Sequence, residues 1–315
     1  MTRRRDTIQS VSRRSALKLI GVGGGIVLGT GTVAGSDHHD DPKPHPHEIQ
    51  WGDAAEYGTG EVKTYTTTNR AGNLSSLGVH VDGDALAAFD EEAAHFHLGI
   101  PEGDTHQFEF VGFDYGPGGH PPAEIYGVPH FDIHFYMMEE AAVEAIGGGP
   151  LGQTPLPFLG VADYDIPDDQ FPAGYGYEEV RFIVQAMGEH LLDTTAPEFH
   201  GEQFTHTYVY GAYDPTIDPE HEDGMVELPL GPAGEDVAVP VYGSGSTGRL
   251  TFIEPMITTE FLRTELDAEV PVEVSTPEVF YEAGDYPTTY VMKPDGSGGV
   301  YVSIDGFEAF PGSTD

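Results

Sequence analysis

The residues best suited to chemistry fall in one short stretch, where His130, Asp132, His134 and Tyr136 alternate with Pro129, Phe131, Ile133 and Phe135. Alternation at period two marks a β-strand with two unlike faces, one apolar and one bearing imidazoles and a carboxylate. Those groups are common ligands of zinc and related ions, and histidine also transfers protons near neutral pH. A strand rises about 3.3 Å per residue, which separates His130 from His134 by about 13 Å. A straight strand cannot aim both rings at one ion. Either one of them binds and the other works as an acid/base or orienting group, or the strand bends.

Further candidates lie in other strand-like segments. His95-Phe96-His97 sets two imidazoles on one face about 6.6 Å apart, within reach of a shared ion. His190 follows Glu189, His206 shares one parity with Phe204, Tyr208 and Tyr210 against Thr205, Thr207 and Val209, and Glu254 ends a strand-like run. The metal-ligand set is therefore His95, His97, His130, His134, His190 and His206, with Asp132, His134, Glu189 and Glu254 as candidate catalytic groups. Zinc is the first expectation, with copper, manganese and iron as alternatives, and an open position would activate water or hold a small ligand. The competing reading is that strand histidines are hydrogen-bonded core residues, because polar groups on a buried strand need partners. That reading is preferred for His80, His106, His120, His200 and His221. No nucleophile elbow, phosphate loop or dinucleotide fingerprint stands in a strand–helix context.

The elements that must position these groups are mostly strands. Alternation and β-branched or aromatic content mark residues 61–68, 77–82, 93–100, 107–113, 128–136, 180–184, 204–210 and 249–254, and a terminal hairpin joins 288–293 to 300–304. Asp82-Gly83-Asp84 reads as a hairpin turn into a strand over residues 85–89. Two short helices are expected, over residues 139–146 and 256–265, and residues 150–176 read as loop. The fold class is mainly β, a sandwich or barrel domain over residues 59–315, with an acidic Pro/Gly-rich insertion at about residues 214–247.

Composition bounds the function. The 315 residues carry 53 acidic and 13 basic side chains, a formal net charge of −40. Such a surface repels nucleic acid and anionic membranes, and it suits a protein adapted to concentrated salt. The absence of cysteine excludes disulfides, thiolate metal sites and thiol catalysis. Arg13-Arg14, followed by a glycine-rich apolar run, has the form of a twin-arginine export signal over residues 1–36. Cleavage there would release an extracellular or cell-surface protein without stable membrane insertion. A linker rich in His and Pro follows over residues 37–58.

Several segments together resemble one family of secreted or envelope proteins of unknown function, found in haloarchaea and thermophilic bacteria. The likeness rests on His95-Phe96-His97-Leu98, Pro129-His130-Phe131-Asp132-Ile133-His134-Phe135-Tyr136, Met187-Gly188-Glu189-His190, Phe204-Thr205-His206-Thr207 and Phe252-Ile253-Glu254-Pro255-Met256, and spans about residues 60–310. It implies a β-rich homo-oligomer and supplies no activity. Residues 214–247 depart from the family pattern, where a short turn is expected. The His-Phe-His strand is also similar to that of α-type carbonic anhydrases, which suggests a metal-dependent lyase or hydrolase as one alternative. A non-enzymatic envelope or stress protein that binds a small ligand is the other.

Overall fold

The computed structural model describes residues 49–90, 92–103, 107–147, 158–230 and 234–313. The export signal, most of the linker and His106 lie outside the described residues. The chain is mainly β, with sheets packed as a sandwich and no closed barrel among the described residues.

One sheet has six strands in the order Ile49–Tyr57, Gly60–Thr68, Leu74–Val81, Val300–Asp305, Thr289–Pro294, Val270–Glu273, all antiparallel. A second has seven, also antiparallel: Ala94–Gly99, Phe110–Gly116, His130–Tyr136, Arg249–Thr258, His206–Tyr213, Glu189–Asp193, Tyr175–Tyr177. The insertion is not a featureless loop, because it contains the hairpin Gly224–Leu228 with Val237–Tyr242. That hairpin continues into Phe158–Ala162 and Phe182–Val184 as a four-stranded sheet.

The core lies where the alternation demands it. Phe131, Ile133 and Phe135 are buried with Phe113, Ile253 and Ile257 of neighbouring strands and with Val79, Met292, Val302 and Ile304 of the six-stranded sheet. Each such side chain contributes about 1.5–3 kcal/mol by leaving water. Tyr208 stacks on Tyr290 with ring centroids 5.4 Å apart, one of the ring contacts that join the two sheets.

Five local expectations change. Asp82 does not open a hairpin. Its Oδ1 accepts from the Ala85 amide at 2.7 Å and caps a helix over Gly83–Ala88, which buries Ala85 and Leu86. Asp-Gly-Asp serves a cap as well as a turn, and a tertiary pocket for Leu86 and Phe89 decides between them. The expected helix over residues 256–265 shrinks to one π-type turn, Phe261–Glu265. Pro255 there lies inside a continuous ten-residue strand, Arg249–Thr258. Residues 49–57, assigned to the linker, form an edge strand, and residues 158–162, assigned to a loop, form a strand. Two further short helices, Gly83–Ala88 and Ala123–Tyr126, join the expected one at Glu140–Glu144.

Candidate metal centre

Register assembles the site. Gly112 pairs with His134 and with His97, while Asp114 pairs with Asp132 and with His95. On the other side of the central strand, paired residues run from Ile253 with Phe135 to Met256 with Asp132 and skip Glu254 and Pro255. Proline has no amide hydrogen to donate, so the ladder opens where Glu254 comes level with His134. His190 pairs with Gly211, which itself pairs with Phe252. The seven-stranded sheet thus carries a band of histidines and carboxylates on the face opposite its aromatic core.

At the centre of that band His134, His190 and Glu254 each offer one ligand atom, all within 4.8 Å of one another. His134 Nε2 lies 3.4 Å from Glu254 Oε1, and His190 Nε2 lies 3.6 Å from Glu254 Oε2. Both separations exceed a good hydrogen bond. They run to different oxygens of the one carboxylate, and each is close to the roughly 3.3–3.4 Å between two ligands of a zinc-like ion with bonds of about 2.0–2.1 Å. Side-chain exposure is 1% for His134 and 2% for Glu254. Even so, both nitrogens of His134 and Oε2 of Glu254 make no hydrogen bond. An unsatisfied buried group costs about 1–3 kcal/mol, so several at one point call for an occupant.

Packing holds this geometry. A Cβ on Gly211 would sit 1.9 Å from the Phe252 ring, so only glycine lets that ring lie across the strand. Phe252 then wedges 5.0 Å from the His134 ring and 5.2 Å from the His190 ring. Asp114 Oδ2 stands 3.3 Å from His134 Nδ1, and Asp114 Oδ1 accepts from His95 Nδ1.

Electrostatics favour a cation. Burial opposes a charge on His134, yet Glu254 and Asp114 outweigh it and lift its pKa to about 9. Burial, with Asp132 and Asp114 adding to it against the pull of His134, raises Glu254 to about 7. Burial, then the nearby His134 and His120, lower His190 to about 3, which keeps that ring a neutral donor. Burial opposes the charge on Asp114, but the neighbouring His134 and His95 outweigh it and hold its pKa low.

A second group lies at the start of the central strand. His120, His130 and Asp132 also bring one ligand atom each within 4.8 Å of one another. His130 and His134 thus belong to different groups, and the strand need not bend to bring them together. A third group, His97 with Glu140 and Glu144, is more open to solvent.

The sequence candidates separate accordingly. His134, His190 and Glu254 come together, and Asp132 joins His130. His95 and His97 have rings 4.8 Å apart but turn to different carboxylates, Asp114 and Glu140. Glu189 points to the opposite face from His190, where Arg181 holds it with contacts of 2.6 and 2.8 Å. His206 binds the Tyr290 hydroxyl at 2.7 Å on the core side. Neither of these two reaches the metal groups. Two participants escaped the sequence reading. Asp114 was placed just past the end of its strand, although it shares the parity of Gly112. His120 sits in a Gly/Pro-rich loop that offers no periodicity.

The fold and site define an antiparallel β-sandwich protein with buried His/carboxylate groups able to hold a metal ion. No protein-family model, curated protein or solved structure matches the chain.

Proposed function

We propose that this is an exported, salt-adapted metalloprotein whose principal centre is a divalent ion, zinc first, held by His134, His190 and Glu254. The observation that carries the reading is the set of buried ligand atoms spaced 3.4 and 3.6 Å apart, too far for hydrogen bonds and near a tetrahedral edge. Two imidazoles and one carboxylate leave a fourth position, as in water-activating zinc sites. His190, with 19% side-chain exposure, marks the solvent side of the centre. Water in that position would be acidified, which suits hydrolysis or hydration of a small substrate. Asp114 would orient His134 through Nδ1, the carboxylate–histidine–metal arrangement. Membership in the exported, oligomeric family carrying the Pro-His-Phe-Asp-Xaa-His-Phe-Tyr signature belongs to the same proposal.

Elemental analysis of the purified mature protein tests the centre. Bound zinc or a related ion should survive dialysis, and Glu254→Gln and His190→Ala should each lose it. Metal content unchanged in both variants would overturn the assignment.

A further inference from the structure

We propose that His120, His130 and Asp132 form a second, separable metal site that anchors the loop over residues 117–128 to the central strand. The inference stands on different residues from the centre above and does not depend on it.

Tautomers carry the argument. His130 Nδ1 lies 2.7 Å from the Val128 carbonyl oxygen, and His120 Nδ1 lies 2.7 Å from that of Pro121. A carbonyl only accepts, so each ring commits its Nδ1 hydrogen to the backbone. In the neutral ring Nε2 then carries a lone pair. Both Nε2 atoms face Asp132 Oδ1, at 3.0 Å from His130 and 3.8 Å from His120. Such atoms directed at one point need something positive among them, either a metal ion or a proton on one Nε2. Fixing one ring nitrogen on a backbone carbonyl is also how proteins orient a metal-binding imidazole.

Burial supplies an independent observation. The His130 side chain is fully buried, and its Nε2, like Asp132 Oδ1, makes no hydrogen bond despite their proximity. Aromatic rings wall the site: Phe204 is 5.5 Å from His130, and Tyr126 is 5.7 Å from His120. The remaining side is open, since His120 keeps 41% side-chain exposure. Gly119, at φ +63°, makes the turn before His120, and a Cβ there would meet the Tyr126 carbonyl oxygen at 1.9 Å. Two nitrogens and one oxygen select a borderline divalent ion such as zinc, cobalt, nickel or copper over calcium or magnesium.

The test is equilibrium binding of Co(II), then Zn(II), to chelator-stripped full-length mature protein in molar salt, with ions per chain counted after dialysis. The expected result is two ions for the wild type. His120→Ala, a loop substitution at a part-exposed residue, should bind one fewer. Glu254→Gln should also bind one fewer, and the double variant none. Hydrogen exchange over residues 117–128 should slow with metal in the wild type and in Glu254→Gln, but not in His120→Ala. If His120→Ala binds as many ions as the wild type, with equal protection of the loop, protons alone occupy the group and the proposal falls. One ion that Glu254→Gln abolishes and His120→Ala retains also overturns it and leaves the principal centre standing. One ion with the opposite dependence supports this site and refutes the principal centre.

Discussion

Metal binding at the His134 centre should depend on pH in a way that the buried charges specify. Without an ion, Glu254 and Asp114 hold a proton on His134 up to about pH 9, while His190 is neutral above about pH 3. Glu254 is ionised above about pH 7. Between pH 7 and 9 an incoming ion must therefore displace one proton, from His134. Apparent affinity should rise about tenfold per pH unit, a total of about 100-fold or about 2.7 kcal/mol, and then level off. The sign for folding is opposite. A histidine pKa raised from 6.5 to about 9 stabilises the metal-free fold fully below pH 6.5, and that stability disappears as pH rises through 9. The metal-free protein should lose up to about 3 kcal/mol across that window, and bound metal should abolish the loss. Because burial opposes a charge on His120 but Asp132 outweighs it and lifts its pKa to about 9 as well, the measurement belongs in His120→Ala, where only the His134 centre reports. Calorimetry in buffers of different ionisation enthalpy should count about one proton released per ion at pH 7.5. An affinity flat from pH 7 to 9, with no proton released, would refute the charge arrangement derived for His134.

Three further outcomes follow from the same structure. Gly211→Ala should displace the Phe252 ring, which the new Cβ would otherwise meet at 1.9 Å, and weaken metal binding by about 10–100-fold in a dialysis assay. With 52 acidic against seven basic residues beyond Ser36, the mature protein should melt at a higher temperature in molar than in dilute salt, and a midpoint indifferent to salt would contradict the charge reading. Replacing Arg13 and Arg14 by lysine should leave uncleaved precursor inside the cell, as a blot of cell and medium fractions would record.

What could be read from sequence was what period two encodes. The stretch from Phe131 to Phe135 declares one apolar face, and the structure buries those residues in the core. Partner choice was not encoded locally. Glu254 reaches His134 only because Arg249–Thr258 pairs beside the central strand, a contact across 120 positions that no window of residues contains. Pro255 argued for a strand end, yet the strand continues past it with an interrupted ladder. Adjacent residues posed a different problem. Glu189 and His190 point to opposite faces by necessity, and Arg181, eight positions earlier, settles which one is structural. His206 is the reverse case: it was counted among the ligands, yet it shares the parity of Tyr208 and Tyr210, both buried, and turns to the core with them. His120 had no periodic signal at all, since its place depends on a glycine turn and on an aromatic wall from residues 126 and 204.

The central strand makes stability and chemistry inseparable. The register that buries Phe131, Ile133 and Phe135 on one face directs His130, Asp132 and His134 to the other. A slip of one residue would exchange the faces and expose all three apolar side chains. That apolar face therefore fixes the orientation of the ligands more firmly than any contact among the ligands themselves. Where the ladder toward Arg249–Thr258 opens at Pro255, the register on either side of the gap is the same, so Glu254 stays level with His134. Core and site share a single register, so a substitution that shifts it should damage both, whereas one confined to the polar face should remove metal and spare the fold.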